Sequence, residues 1–287
     1  MSLKNVKKVG SFCAWIDLLG YGTPFYDCNW NLSSPEAIKN IKRVNDLKEL
    51  VTQIYLPFGE MLLVLNDGFV RNFDIPANNV HAIIGWLIHV LETFKNINEF
   101  DIKNGFYGAR GVLSYGERFQ YIDCDTVGKD AFILTSEEKK NLYREQKIIY
   151  TPSELQMNTA FSKAFIIEES GSNRGVKKNK INIDECMLVK LADVINTIGY
   201  DEFGLTEEDY KKNGSCIYKY HASINTEKRE FLVEAMTGDA KWIYFRIEFE
   251  DIVEYDNEKK SLSTKLYIPC KIESSLFSPY DHTEIIL

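Results

Sequence analysis

The 287-residue chain carries 42 acidic against 34 basic residues, a formal charge of −8, with 45% hydrophobic and 26% charged residues. That make-up is ordinary for a globular protein with a well-buried core, and its acidity argues against a nucleic-acid surface while leaving room for a local basic pocket. No apolar run approaches membrane-spanning length, Met1-Ser2-Leu3-Lys4 does not open a signal peptide, and Cys13, Cys28, Cys124, Cys186, Cys216 and Cys270 have no paired spacing, so free thiols in a reducing cytoplasm and no zinc site are expected.

The first legible element is Phe12-Cys13-Ala14-Trp15-Ile16-Asp17-Leu18-Leu19-Gly20-Tyr21-Gly22. It reads as a buried strand with one carboxylate in its second half, ended by glycines. An Asp there is costly unless something pairs with it. Asp17 is either the cap of a following turn or helix, or a metal ligand, and the second role needs another carboxylate from elsewhere.

Tyr21 to Ser34 reads as a loop, after which Ser34 caps and Pro35 opens a helix predicted to run to about Tyr55. Its expected buried face carries Ile38, Ile41, Val44, Leu47, Leu50, Val51 and Ile54. Met61 to Leu65 and Phe69 to Phe73 read as strands joined at Asn66-Asp67-Gly68, a strong hairpin signal. A helix follows Asn78-Asn79 with Val80, Ile83, Ile84, Leu87, Ile88, Leu91 and Phe94 inward, and Tyr107 to Glu117 is the next strand.

Thr135 to Lys147 is predicted helical, Ile148 to Tyr150 a short strand, and Pro152 to about Glu168 a helix with Leu155, Ala160, Phe161, Ala164 and Phe165 on one face. Ser170 to Asn179 is an exposed loop. In the last third, Met187 to Leu191, Ile217 to Tyr220, Trp242 to Glu250 and Lys265 to Ile272 are predicted strands; Glu207 to Asp209 and Glu227 to Met236 are predicted helical. Trp242 to Glu250 alternates, with Ile243, Phe245, Ile247 and Phe249 on one face. With no linker or repeat, residues 1–287 are expected to form one elaborated α+β domain, an antiparallel sheet with helices on one face.

Asp67 supplies the second carboxylate. Asn-Asp-Gly suits any tight turn, but two acids, each at the end of an apolar strand and closely followed by glycine, also make a pair of hard oxygen donors. Arg110 begins a later strand among small residues. It is a surface or ion-pair arginine, or, beside two metal-bearing carboxylates, a bidentate ligand for polyphosphate.

With these residues in place the chain resembles the class III nucleotidyl cyclases. That family opens with a strand of the form Phe-x-Asp-φ-x-Gly-Phe, where φ is apolar, has an acidic hairpin tip, and later a strand that begins with Arg and ends in Gly. Here the matching stretches are Trp15-Ile16-Asp17-Leu18-Leu19-Gly20-Tyr21, Leu65-Asn66-Asp67-Gly68 and Arg110-Gly111-Val112-Leu113-Ser114-Tyr115-Gly116. The family's Val-Asn-x-Ala-Ser-Arg helix is similar to Met157-Asn158-Thr159-Ala160-Phe161-Ser162-Lys163, with Glu168 following.

The resemblance covers about residues 10–170, implies there a cyclase core with a ferredoxin-like or palm-type antiparallel sheet, and leaves about 180–287 as a C-terminal α+β elaboration. It implies two divalent cations, Mn²⁺ or Mg²⁺, roughly 3.5–4 Å apart, bridged by Asp17 and Asp67. The carbonyl of Leu18 or Ile16 would be a further ligand. Arg110 would hold the β or γ phosphate and Asn158 would orient the ribose.

Two departures bear on catalysis and specificity. The family's transition-state arginine falls at Ser162, and the neighbouring cation is Lys163; Lys163, or another cation such as Arg174, would take the developing charge. The positions that read the base hold Leu63 and Thr151, which match neither purine-reading set. Unpartnered polar base edges cost about 1–3 kcal/mol each, so ATP and GTP are poorly served.

Within the superfamily the chain most resembles the bacterial pyrimidine cyclases of Pycsar antiphage systems, which share the Asp-Leu-Leu-Gly start, the Arg-Gly-φ-φ-Ser-x-Gly-Glu strand and the Asn-x-Ala-φ-Ser-Lys-Ala helix. This implies UTP or CTP as substrate, cUMP or cCMP as product and a homodimer with composite sites, without a nucleic-acid or membrane partner. A separately encoded cyclic-nucleotide effector would complete the defence response.

The alternatives are a purine or polymerase-palm cyclase, or an inactive cyclase-like nucleotide-binding or dimerisation module. Asn66-Asp67-Gly68-Phe69 lacks the Gly-Gly-Asp/Glu-Glu-Phe turn of diguanylate cyclases. His81, His89, His221 and His282 have no metal spacing. Tyr55 and Phe58 are candidates to wall a base pocket.

Overall fold

Val6–Leu18 forms the central strand, β1. Phe12, Ala14, Ile16 and Leu18 pack into one apolar cluster while Cys13 and Trp15 pack into a second. Both faces of the strand are therefore covered, which is why its sequence runs apolar without alternation. The structure, a computed structural model, describes residues 6–52, 60–75, 79–121, 158–198, 217, 219–237, 241–275 and 282–287.

A short helix, α1 (Thr23–Asp27), interrupts the expected loop, and α2 follows at Pro35–Thr52. The Ser34 hydroxyl accepts the Ala37 amide (3.1 Å), the expected cap. Strands β2 (Glu60–Leu65) and β3 (Gly68–Asp74) form the hairpin. Next come α3 (Val80–Lys103), capped by the Asn79 side chain, and β4 (Ala109–Tyr121). The order β2-β3-β1-β4 of this β-α-β-β-α-β unit is the ferredoxin-like arrangement.

Helix α4 (Thr159–Ser170), strand β5 (Ile181–Asp184) and helix α5 (Glu185–Thr197) lead into β6 (Lys219–Asn225), β7 (Glu230–Met236), β8 (Lys241–Asn257), β9 (Leu262–Ser274) and β10 (Thr283–Ile286). Among the described residues all join one ten-stranded sheet in the order β2-β3-β1-β4-β5-β9-β8-β7-β6, with β10 on β9. Pairings are antiparallel except β4 with β5.

The fold is thus the expected α+β sheet with a helical layer. Helices α2, α3 and α5 bury Val44, Leu47, Ile84, Leu87, Leu191 and Ile195 in one cluster. Helix α4 adds cover on the other side, where Ala160, Ala164 and Ile167 meet Cys13, Trp15, Val70 and Val112. Gly116 of β4 permits this approach, since a Cβ there would lie 2.3 Å from the Ala160 nitrogen.

Three expectations are corrected. Met187 to Leu191 is not a strand: Asp184 caps Cys186 (3.2 Å) and starts α5 there, after the short strand β5. Glu227 to Met236 is not helical: Phe231, Val233 and Ala235 are buried at period two in β7, which outweighs the local helix formers. On α2, Ile38 and Ile41 are exposed, because the inward face carries Ala37, Asn40, Arg43, Val44 and Leu47. The elements predicted within 122–157 and 199–216 lie outside the described residues.

Candidate active site

Strand register builds the site. Asp17 pairs with Gly68 of β3 on one side and with Arg110 of β4 on the other. Leu65 pairs with Gly68, so Asn66 and Asp67 are the two loop residues of the hairpin, and Asp67 immediately precedes Asp17's partner. Asn66 takes the left-handed conformation (φ 55°) and its amide donates to Asp67 Oδ1 (3.1 Å). Gly68 is required for a second reason: the Trp15 ring lies over it, and a Cβ would fall 1.9 Å from Trp15 Cη2.

Asp17 is half-buried, yet its carboxylate has no hydrogen-bond or ion-pair partner among the described residues. Burial pushes its pKa up to about 8, with Glu168 and Asp67 adding to the rise and Arg110 and Arg43 opposing it. Burial also raises Asp67, against its turn hydrogen bonds and Arg43. Among the described residues no three His, Cys, Asp or Glu side chains form a metal cage. The donor set nevertheless suits a hard divalent cation: one carboxylate near the end of β1 and one in the adjacent β2–β3 turn, with Asp17 unpartnered among the described residues. Leu18 packs its side chain in the core, so its backbone is what it offers beside Asp17.

Arg110 is held rather than free. Its Nε donates to Glu168 Oε1 (2.8 Å), and Nη2 reaches the same oxygen. Trp15 Nε1 donates to Glu168 Oε2 (3.3 Å). Behind the site, Arg43 bonds Asp101 through Nε (2.6 Å) and Nη2 (2.7 Å), and Nη2 also donates to the Leu19 carbonyl (3.1 Å).

The structure brings together Asp17, Asp67 and Arg110. Asn158 lies elsewhere in the chain. It caps α4, accepting the Phe161 amide (3.1 Å), and donates to Asn72 Oδ1 (2.7 Å), which also accepts the Ser11 hydroxyl (2.8 Å). Ten residues separate it from Glu168, about 15 Å at the helical rise. A ribose contact by this buried cap at its own chain's Asp17 is not what the geometry offers. Sequence placed Asn158 inside a helix; it is instead the residue at which α4 begins.

Ser162 points outward and donates to the Asn158 carbonyl (3.0 Å). Lys163 donates to Cys186 Sγ (3.0 Å) and faces Asp184 (3.9 Å). Arg174 donates to the Asp256 carbonyl. Leu63 lies opposite Val70 and packs on the cluster containing Trp15. Thr151, Tyr55 and Phe58 lie outside the described residues. Sequence reasoning left Trp15, Arg43 and Asp101 without a role and Glu168 with none beyond following the motif. Only Trp15, two positions before Asp17 and hence on its face of the strand, carried a local signal.

No family model and no curated protein matches the chain. Among solved structures, it is similar to the guanylyl cyclase Cya2 at 10% identity, with 96% of this chain and 98% of that one covered and a TM-score of 0.44. It is also similar to the dimeric guanylyl cyclase domain of the RhoGC fusion protein from Blastocladiella emersonii (11% identity, 92% and 96% covered, TM-score 0.39). A third is the guanylate cyclase domain of RhGC from Catenaria anguillulae in complex with GTP (8% identity, 92% and 97% covered, TM-score 0.36).

Proposed function

We propose that the chain is a nucleotidyl cyclase that converts UTP or CTP into the 3′,5′-cyclic nucleotide and pyrophosphate. The observation that carries this is the unpartnered carboxylate of Asp17, set in register between Gly68, the neighbour of Asp67, and Arg110. In the reaction the ribose 3′ oxygen attacks the α-phosphorus, the 3′ hydroxyl gives its proton to solvent, and the bond from the α-phosphorus to the bridging oxygen breaks to release pyrophosphate. Asp17 and Asp67, with the Leu18 carbonyl, would hold Mg²⁺ or Mn²⁺. When bound, the cations supply activation of the hydroxyl and screening of the leaving charge. Arg110 binds the β or γ phosphate as a fixed cation.

The pyrimidine assignment rests on the resemblance to the antiphage pyrimidine cyclases and on Leu63, which stands where purine cyclases carry a base-reading side chain. Packed beside Val70 and the Trp15 cluster, it gives a purine edge no hydrogen-bond partner. As in the antiphage cyclases the sequence resembles, the product would be a second messenger for a separately encoded effector, made in the cytoplasm by residues 1–287 acting as one unit. Asn158, Ser162 and Lys163 all lie on or at the start of α4 and outside their own Asp17 site, so any role at substrate would be in the site of a second copy. That arrangement is a homodimer with composite sites.

Purified protein with Mn²⁺ and each of the four nucleoside triphosphates should release pyrophosphate with UTP or CTP. Equal turnover of ATP would overturn the base assignment. No turnover of any of the four would leave an inactive cyclase-like module, the outcome that the serine at position 162 favours. Composite sites have a separate test. Mixing inactive Asp17→Ala with inactive Lys163→Ala protein should regain up to about a quarter of wild-type activity per dimer, the statistical share of intact sites when two copies pair at random. A mixture no more active than its components would rule out a shared site.

A further inference from the structure

We propose that Glu168 and Trp15 are positioning residues that fix Arg110 for a triphosphate, an inference that rests on the phosphate-binding role given to Arg110 above. An arginine side chain has many rotamers, and a phosphate ligand gains little from a guanidinium that must be ordered on binding. Here the ordering is already done. Glu168 Oε1 takes both Nε (2.8 Å) and Nη2 of Arg110, and the other oxygen takes the indole N–H of Trp15 (3.3 Å). The carboxylate is therefore held from two sides, and Glu168 is only 5% exposed.

Trp15 is itself clamped. Its ring lies over Gly68 and meets Phe161 and Phe165, each at 5.8 Å between centroids. The chain of contacts runs from the hairpin carrying Asp67, through the Trp15 ring, to Glu168 and then to Arg110. The cation and the acidic turn are thus set relative to one another before any ligand arrives. Arg110 Nη1, which lies beside Gly171 (3.6 Å from where a Cβ would sit), has no hydrogen-bond partner among the described residues and is the donor left for a phosphate. Both Glu168 oxygens are engaged by Arg110 and Trp15, so Glu168 acts through those two side chains. Its negative charge near Asp17 would be a liability if its only effect were to neutralise Arg110.

The test is calorimetric binding of UTP, inorganic tripolyphosphate and UMP to the full chain, as wild type, Glu168→Gln, Arg110→Lys and the double variant. Glu168→Gln should weaken UTP and tripolyphosphate roughly tenfold, the effect of one charge-assisted contact, and leave UMP unchanged. Arg110→Lys should weaken them at least as much, and the double variant no further, since Glu168 acts through Arg110. Additive losses, or tighter UTP binding by Glu168→Gln, would overturn the proposal while leaving the cyclase reading intact. Wild type that binds neither triphosphate would overturn both. Should Glu168→Gln not fold, Trp15→Phe serves as the second variant: it removes the indole donor together with the outer ring atoms that lie over Gly68. It should show a smaller loss of the same pattern, and unchanged UTP affinity would overturn the proposal.

Discussion

Asp17→Asn is expected to abolish cation-dependent triphosphate turnover, by about a thousandfold or more, which corresponds to about 4 kcal/mol of transition-state stabilisation. The same variant should be more stable than wild type in the absence of metal at alkaline pH. The reason is linkage. An Asp in the unfolded chain releases its proton near pH 3.9, whereas burial and the charges of Glu168 and Asp67 hold the folded group's pKa up to about 8. Between those values the folded state binds the extra proton, so stability falls as pH rises through the window and levels off above it. Asn removes that slope. Mn²⁺ should raise the wild-type melting temperature most at the alkaline end and have no such effect on the variant. Melting curves across the window, with and without Mn²⁺, decide the matter. An unchanged pH slope in Asp17→Asn would show that Asp17 is not the unpaired group, and surviving turnover would remove it from the metal site.

What the chain declares locally is the front half of the fold. The hairpin at Asn66-Asp67-Gly68, the inward face of α3 and the caps at Ser34 and Asn79 follow from turn chemistry and period. Asp17, Asp67 and Arg110 were legible as a set because each sits at the end of a strand, and neighbouring strands in one sheet bring their ends together. The supporting residues were not legible. Glu168 meets Arg110 across 58 residues and Trp15 across 153, and nothing in their local sequence marks the encounter.

In the last third, Met187-Leu188-Val189 is short, apolar and compatible with either state. Asp184, which bonds Ser114 (2.7 Å) and Thr264 (2.6 Å) as well as capping α5, settles it through tertiary contacts. Helix α2 misleads for the converse reason. Its inward face buries Arg43 and Asn40 beside its apolar residues, so a count of apolar spacing rotates the helix toward Ile38 and Ile41.

That buried arginine leads to the largest expected effect on stability. Arg43 is 2% exposed and Asp101 0%. Their paired bonds of 2.6 and 2.7 Å are joined by the Gly108 amide, which donates to Asp101 Oδ2 (2.8 Å). Asp101→Ala leaves a buried cation unpaired and should cost about 3–5 kcal/mol, a fall of roughly 10 °C in melting temperature for a chain of this size. The loss should also reach the site. Gly108 accepts the Leu19 amide (2.9 Å), and Arg43 donates to the Leu19 carbonyl (3.1 Å), so the pair fixes the backbone immediately after Leu18. Activity should therefore fall in protein that is still folded, at temperatures well below its midpoint.

A double variant, Arg43→Met with Asp101→Leu, separates the two effects. Replacing both charges with apolar groups should restore most of the stability. It cannot restore the contacts to Leu19 and Gly108, so triphosphate turnover should stay low. Full recovery of turnover along with stability would mean that the pair supports the fold alone and leaves the strand end carrying Asp17 indifferent to it.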